Sequence, residues 1–253
     1  MFNLIKYELK SSFLTILGVC TSVILASLFL IIKRNDWDMN TILALFVTLI
    51  IIALVVIFIS SLKIMSKYLY EDSGYLLFTL PQSGMSIITS RLITALIQTS
   101  IVGFVCIFMF YFTIAQDMDL SILKYFKFGA ILYCITQYVW SIFSSLTFVY
   151  FCMIIGKIAL KNKKLGKIGS FIIFIILSSV ISLLSFKIST IFPQTLNLSN
   201  FSIFNSTTIS TLSVSGSSIF ASINIATTIF SVITFAIFFI GSSYLIDKKL
   251  DLS

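Results

Sequence analysis

Histidine is missing from this chain of 253 residues, and proline occurs only twice. Without histidine, the chain cannot build a Ser-His-Asp triad, a Cys-His dyad or a zinc site with an imidazole ligand. Charged residues make up only 10% of the sequence, whereas a globular domain carries about 25%. The surface of the folded chain must therefore be largely apolar, which excludes an ordinary water-soluble enzyme.

The chain also lacks paired cysteines and a phosphate-binding loop. Its four cysteines (Cys20, Cys106, Cys134 and Cys152) are scattered singly through apolar runs, a pattern that favours packing over a redox or metal role. No Gly-x-x-x-x-Gly-Lys-Ser/Thr motif is present, so the chain does not bind ATP through such a loop. We therefore predict no catalytic, cofactor or metal site.

Long apolar runs dominate what remains, because 58% of the residues are hydrophobic and the mean hydropathy is +1.11. A helix needs roughly 20 apolar residues to cross the hydrocarbon core of a membrane. We therefore predict an all-α polytopic membrane protein, with one transmembrane domain over residues 1–253. Six runs qualify as spans, at about 13–32, 41–62, 92–115, 129–155, 171–192 and 223–246.

The basic residues predict the orientation of these spans. Twelve lysines and arginines lie on the side of the two termini, and four lie in the opposite loops. Such a bias is typical of the cytoplasmic face, so we predict a cell-membrane protein with both termini in the cytoplasm. The net charge of +8 then reflects this bias, and we predict no nucleic-acid partner.

The N-terminal residues 2–12 mix apolar residues with Lys6, Glu8 and Lys10. Because these charges would be costly in lipid, we predict a short interfacial helix lying in the headgroup plane. The alternative is a simple extension of the first span.

The connection over residues 63–86 is unusually aromatic for a solvated loop. Glu71 and Asp72 interrupt its apolar residues, Gly74 permits a bend, and Pro81 stops any preceding helix. We predict a short amphipathic helix followed by a turn. Its surface suits docking to a partner protein, and it equally suits resting on the bilayer interface, where tyrosines collect.

Residues 193–222 contain no charge, yet apolar residues recur among their serines, threonines and asparagines. We predict a segment that enters the outer interface and is buried against protein or in a polar cavity, with a flexible outer loop as the alternative. Within the spans, Gln98, Gln137 and Lys187 are the candidate pathway residues. Interhelical packing for the glutamines and snorkelling for Lys187 are the competing explanations.

The run Tyr-Glu-Asp-x-Gly-Tyr-Leu-x-x-x-Leu-Pro-x-Ser begins at Tyr70, and Arg91 follows it at the start of a span. This order and the overall topology resemble the small bacterial permease subunits of ABC-2-type transporters. The resemblance implies a coupling helix that docks on a nucleotide-binding subunit, and re-entrant outer helices before the last span. The partner-binding residues that it implies are Tyr70, Glu71, Asp72, Gly74, Tyr75, Leu80 and Pro81.

The resemblance further implies a second permease chain, identical or related, and ATP and Mg²⁺ bound on the partner ATPase. We therefore expect a permease subunit that exports or clears an amphiphile, such as an antimicrobial peptide or a drug. A secondary transporter would need membrane-centred charges or an inverted repeat, and neither is found. A non-transporting immunity, sensor or assembly protein stays open as an alternative.

Overall fold

A computed structural model describes residues 2–33, 36–70, 83–114, 128–159, 165–197, 202–205, 210–215 and 218–249. Its described elements are six long helices and four short strands. The helices are α1 (Phe2–Ile32), α2 (Met39–Tyr70), α3 (Gly84–Ile114), α4 (Phe128–Ala159), α5 (Leu165–Ile191) and α6 (Ile225–Lys249). The strands, between α5 and α6, are β1 (Gln194–Asn197), β2 (Ser202–Asn205), β3 (Ser210–Ser215) and β4 (Ser218–Asn224).

All six predicted spans are confirmed as helices that are long and apolar enough to cross a membrane. Their outer surfaces carry large apolar side chains, with Leu14, Phe104 and Leu183 exposed by 83%, 72% and 64%. A water-soluble monomer rarely exposes apolar patches of this extent. Lipid tails are as apolar as leucine, so these surfaces suit a bilayer.

Three of the helices extend beyond the ends of the apolar runs from which the spans were predicted. α1 begins at Phe2, α2 continues to Tyr70 and α3 begins at Gly84, each about two to three turns beyond its predicted span. Residues 2–12, expected as an interfacial helix, form the first turns of α1 and continue into the first span without a break.

The contacts of the chain group into two compact units. The first comprises Met1–Gln82 and Ser86–Leu120, and the second comprises Ser83–Met85 and Ser121–Ser253. The core of the first unit contains two apolar clusters contributed by α1, α2 and α3. One consists of Ile16, Val19, Val23, Ala53, Ile57, Val102 and Cys106, and the other of Leu30, Ile42, Phe46 and Met109. Cys106 therefore packs as a small apolar residue, as the sequence predicted.

Aromatic contacts and one close approach of backbones hold the helices of the second unit. The Phe148 ring lies 5.3 Å from that of Phe174 on α5 and 5.4 Å from that of Phe238 on α6. These separations lie within the favourable range for aromatic pairs. At Gly156, α4 approaches Ser170 of α5 so closely that an added Cβ would lie 2.8 Å from the Ser170 Cα.

The segment predicted to be re-entrant differs from the expectation in its local structure. Its described residues form an antiparallel sheet in the order β2-β1-β4-β3, and not the helices that the resemblance implied. The register pairs Leu196 with both Ile203 and Ile223, and Leu212 with Ala221. Alternation of apolar and hydroxyl residues has a period of two in β3, which is the strand period.

Asn224 joins this sheet to α6. It precedes the first residue of α6, and its Oδ1 accepts a hydrogen bond from the Thr227 N–H at 3.1 Å. This is the geometry of a helix N-cap. The Asn224 Nδ2 donates to the Phe192 carbonyl at 3.0 Å, so one buried amide stabilises both the start of α6 and the chain that leaves α5.

Candidate functional site

The candidate site is the connection between α2 and α3. Tyr70 is the last residue of α2 and is half-buried, and Gly84 is the first residue of α3 and is buried. The other predicted docking residues (Glu71, Asp72, Gly74, Tyr75, Leu80 and Pro81) lie outside the described residues. What the structure describes is how the two helices that carry this connection are held.

Arg91 of α3 makes polar contacts with residues of both α1 and α2. Its side chain is only 3% exposed, and its Nε lies 3.5 Å from Glu8 Oε1 in α1. One guanidinium nitrogen donates to the Ile64 carbonyl at 3.2 Å and contacts the Met65 Sδ at 3.1 Å. The guanidinium carbon lies 4.2 Å from the Tyr68 ring centroid, within cation–π distance. Arg91 therefore links α1 to the last turns of α2.

Glu8 is the acidic partner in this cluster. Its side chain is 12% exposed, and its Oε2 accepts a hydrogen bond from Thr94 Oγ1 at 3.0 Å. Burying a single charge is unfavourable, whereas a paired and hydrogen-bonded charge is tolerated. This pairing explains why the first turns of α1 pack against α3, although their charges predicted a separate helix at the membrane surface.

Three buried polar residues lie on the same three helices as the ion pair and its contacts. Ser12 of α1, Ser61 of α2 and Gln98 of α3 are all buried. Each lies four residues, about one helical turn, from a member of the first apolar cluster (Ile16, Ile57 and Val102). Among the described residues, neither Nε2 nor Oε1 of Gln98 has a hydrogen-bond partner.

The other two predicted pathway residues lie in different surroundings. Gln137 of α4 and Lys187 of α5 are exposed, whereas Gln98 is fully buried. The structure therefore does not place the three residues in one common environment. Exposure of Lys187 near the end of α5 agrees with a side chain that reaches toward the membrane surface.

The start of α3 is held separately from Arg91. The Gly84 backbone N–H donates to the Asp247 carboxylate of α6, with 2.6 Å between N and Oδ1. The first N–H groups of a helix have no partner within it, and negative charge is favourable there. Asp247 thus supplies, from the last helix, an acceptor for the N–H of the first residue of α3.

Sequence reasoning missed Glu8, Tyr68 and Asp247 as members of these contacts. A signal for Glu8 was available, because the buried Arg91 at the start of an apolar span needs an acidic partner. The sequence has only nine acidic residues, so few candidates exist for the acidic partner of Arg91. Asp247 gave no such signal, because its partner is a backbone N–H and any residue except proline carries one.

The six helices and their apolar surfaces are consistent with a multi-pass membrane protein. Compared with known proteins, the chain matches no family model, no curated protein and no solved structure. Among the described residues, no group of three or more His, Cys, Asp or Glu is placed to hold a metal ion.

Proposed function

We propose that the chain is the membrane-spanning permease subunit of an ATP-driven ABC transporter. It pairs with a second permease chain, identical or related, and a separate ATPase binds ATP and Mg²⁺. The substrate class is an amphiphile, such as an antimicrobial peptide or a drug, because the spans offer an apolar path with few charges. The resemblance of residues 70–83 and Arg91 to ABC-2-type permeases supports the proposal.

The observation that carries the proposal is the set of contacts made by the described residues on either side of residues 71–82. Its beginning follows the turn of α2 whose Tyr68 ring lies against Arg91, and its end leads into Gly84, bonded to Asp247. A partner changes the balance between two states of a membrane domain only through contacts that differ between them. A docking segment attached to firmly held helices transmits such differences better than a freely hanging loop.

The distribution of basic residues supports an orientation with this connection in the cytoplasm. Twelve lysines and arginines lie on its side of the membrane, against four on the other, which follows the positive-inside rule. Both termini are then cytoplasmic, in the bacterial cell membrane that the resemblance implies. The sheet between α5 and α6 faces the exterior.

A secondary transporter is favoured by one observation, the buried Glu8–Arg91 pair, since ionisable residues inside membrane segments often serve transport. Two features weaken this alternative. Both residues lie outside the predicted apolar runs, and each has its charge partner within 3.5 Å. The absence of nucleotide-hydrolysing partners in a fully active preparation would favour it.

Purification from native membranes in mild detergent tests the proposal. A tagged chain should elute with Mg-ATP hydrolysing activity, and both Glu71→Lys and Gly74→Trp should lose that activity. Asp36→Lys is the matched control, because Asp36 is exposed and its ion pair among the described residues is a solvent-exposed one with Lys33, in the loop on the opposite side. ATPase activity that stays unchanged in both segment variants would overturn the docking role of residues 63–86.

A further inference from the structure

We infer that four exposed lysines of α1 and α2 form a binding site for the headgroups of anionic phospholipids. The four are Lys6, Lys10, Lys63 and Lys67. Each helix carries its two lysines four residues apart, and residues with this spacing are neighbours on one helical face. The inference concerns the lipid around the first unit, and it holds with or without an ATPase partner.

The contacts of Arg91 show that the two pairs of lysines lie at the same level along the helices. Its Nε lies 3.5 Å from Glu8 Oε1 in α1, and its guanidinium donates to the Ile64 carbonyl of α2 at 3.2 Å. Glu8 lies between the two lysines of α1, and Ile64 lies between the two lysines of α2. All four lysines are therefore within about one helical turn of the level of Arg91.

The charges at this end of α1 and α2 do not cancel. Glu8 is the only acidic residue in the two helices, and its charge is neutralised by the buried Arg91. The four exposed lysines therefore carry a surplus of positive charge. At the other end of the two helices, residues 33–38 contain two basic and two acidic residues, so no such surplus exists there.

The exposed surface changes from basic to apolar directly beside the lysines. Phe13 is exposed three residues after Lys10 in α1, and Ile59 is exposed four residues before Lys63 in α2. At 1.5 Å per residue, only about 4.5–6 Å separates the lysines from surface that suits lipid tails. Tyr7, between the lysines of α1, is 71% exposed, and tyrosines collect at the headgroup level. The four lysines therefore lie at the depth of the lipid phosphates.

A lipid headgroup fits this position better than an acidic protein does. A lysine side chain can lie along apolar surface and place its ammonium group among the headgroups. Clusters of about four to eight basic residues beside a membrane span are typical of sites for anionic lipids. An acidic protein would have to enter the headgroup layer to reach the same charges.

Thermal unfolding of the purified chain in an uncharged detergent tests the inference. A ligand that binds the folded state raises the melting temperature. The amount of phosphatidylglycerol or phosphatidylcholine that gives half of the full rise therefore measures the affinity for each lipid. The two lysine pairs are replaced separately, in the double variants Lys6→Gln/Lys10→Gln and Lys63→Gln/Lys67→Gln.

The matched control is the double variant Lys33→Gln/Lys187→Gln. It removes the same charge from two lysines outside the site, Lys33 after the end of α1 and the exposed Lys187 of α5. A second control keeps the charge at the site, in Lys6→Arg/Lys10→Arg and Lys63→Arg/Lys67→Arg.

The unsubstituted chain should bind phosphatidylglycerol in preference to phosphatidylcholine. Each glutamine pair at the site should raise the half-saturating amount of phosphatidylglycerol by at least about fivefold, the effect of one basic residue near an anionic surface. Both kinds of control should keep the value of the unsubstituted chain. Raising the salt from about 0.01 M to about 1 M shortens the screening length from about 30 Å to about 3 Å, so the preference of the unsubstituted chain should disappear.

An unchanged phosphatidylglycerol requirement in both glutamine pairs overturns the inference. An equal increase in the control pair also overturns it, because the effect would then reflect net charge alone. Glutamine pairs that lose a co-eluting ATPase and keep the lipid preference would assign the lysines to a protein partner, against the inference. If a glutamine pair aggregates, the salt titration of the unsubstituted chain decides. A preference that survives high salt contradicts a site of exposed charges, and one that disappears supports it.

Discussion

Glu8 of α1 and Arg91 of α3 form a buried ion pair, with 3.5 Å between Oε1 and Nε. The two residues are far apart in the sequence, and each lies in a stretch that its charge would place at the membrane surface. Together they hold α1 against α3 beside the end of α2. The stability of the first unit should therefore depend on both partners being present.

Removing one partner of the Glu8–Arg91 pair should lower the free energy of unfolding more than replacing both partners by apolar residues. Glu8→Ala or Arg91→Ala leaves an uncompensated buried charge, which typically costs about 3–5 kcal/mol. Glu8→Met combined with Arg91→Met replaces the pair by apolar side chains and should recover much of that loss. The unfolding temperatures of the variants, measured in detergent, rank their stabilities. Single variants that unfold at the same temperature as the unsubstituted chain would contradict the buried pairing.

Substitution by alanine should change the stability of the chain in opposite directions at two helical glycines. At Gly156 a Cβ would collide with the Ser170 side chain, so Gly156→Ala should destabilise the α4–α5 pair by about 1–3 kcal/mol, as overpacking does. At Gly18 a Cβ would meet nothing within 4 Å. Gly18→Ala should be neutral or stabilising by up to about 1 kcal/mol. Comparable melting temperatures for the two variants would refute the close approach at Gly156.

Asn224 allows its two roles to be separated by substitution. Asn224→Asp keeps the oxygen that accepts from the Thr227 N–H and loses the donor to the Phe192 carbonyl. Asn224→Ala loses both, and the cap alone contributes about 1 kcal/mol. Unfolding measurements should rank the unsubstituted chain above Asn224→Asp, and Asn224→Asp above Asn224→Ala. Equal stability of all three would remove the capping role.

We predict that the buried amide of Gln98 lowers the free energy of unfolding of the chain. Its amide is fully buried and has no hydrogen-bond partner among the described residues, and an unsatisfied buried group costs about 1–3 kcal/mol. Gln98→Leu should therefore raise the melting temperature, whereas Gln137→Leu at an exposed position of α4 should change it little. A lower melting temperature for Gln98→Leu would show that the amide is hydrogen-bonded in the membrane.

The sequence predicted the six helices because each span is a continuous apolar run, and its length alone indicates a crossing. The ends of α1, α2 and α3 could not be read in this way. They extend into stretches with charges, such as Glu8, that become tolerable only when a distant residue pairs with them. Local periodicity carries no information about such pairing.

The sheet between α5 and α6 was missed for a related reason. β3 alternates apolar and hydroxyl residues over only five positions, from Thr211 to Ser215, and short alternating runs resemble polar loops when they are read singly. Of the residues named from the sequence, Tyr70 and Arg91 lie in the helices that flank the connection and belong to the quoted motif and its continuation. The contact of Asp247 could not be predicted, because its partner is a backbone N–H that is distant in the sequence.

Native mass spectrometry of the tagged chain, extracted from its own membrane, tests the central claim most directly. The account predicts a complex of two permease chains with two nucleotide-binding subunits, which loses those subunits in Gly74→Trp and keeps them in Asp36→Lys. A chain that elutes without nucleotide-binding subunits, yet performs its complete task after reconstitution into liposomes, would contradict the account.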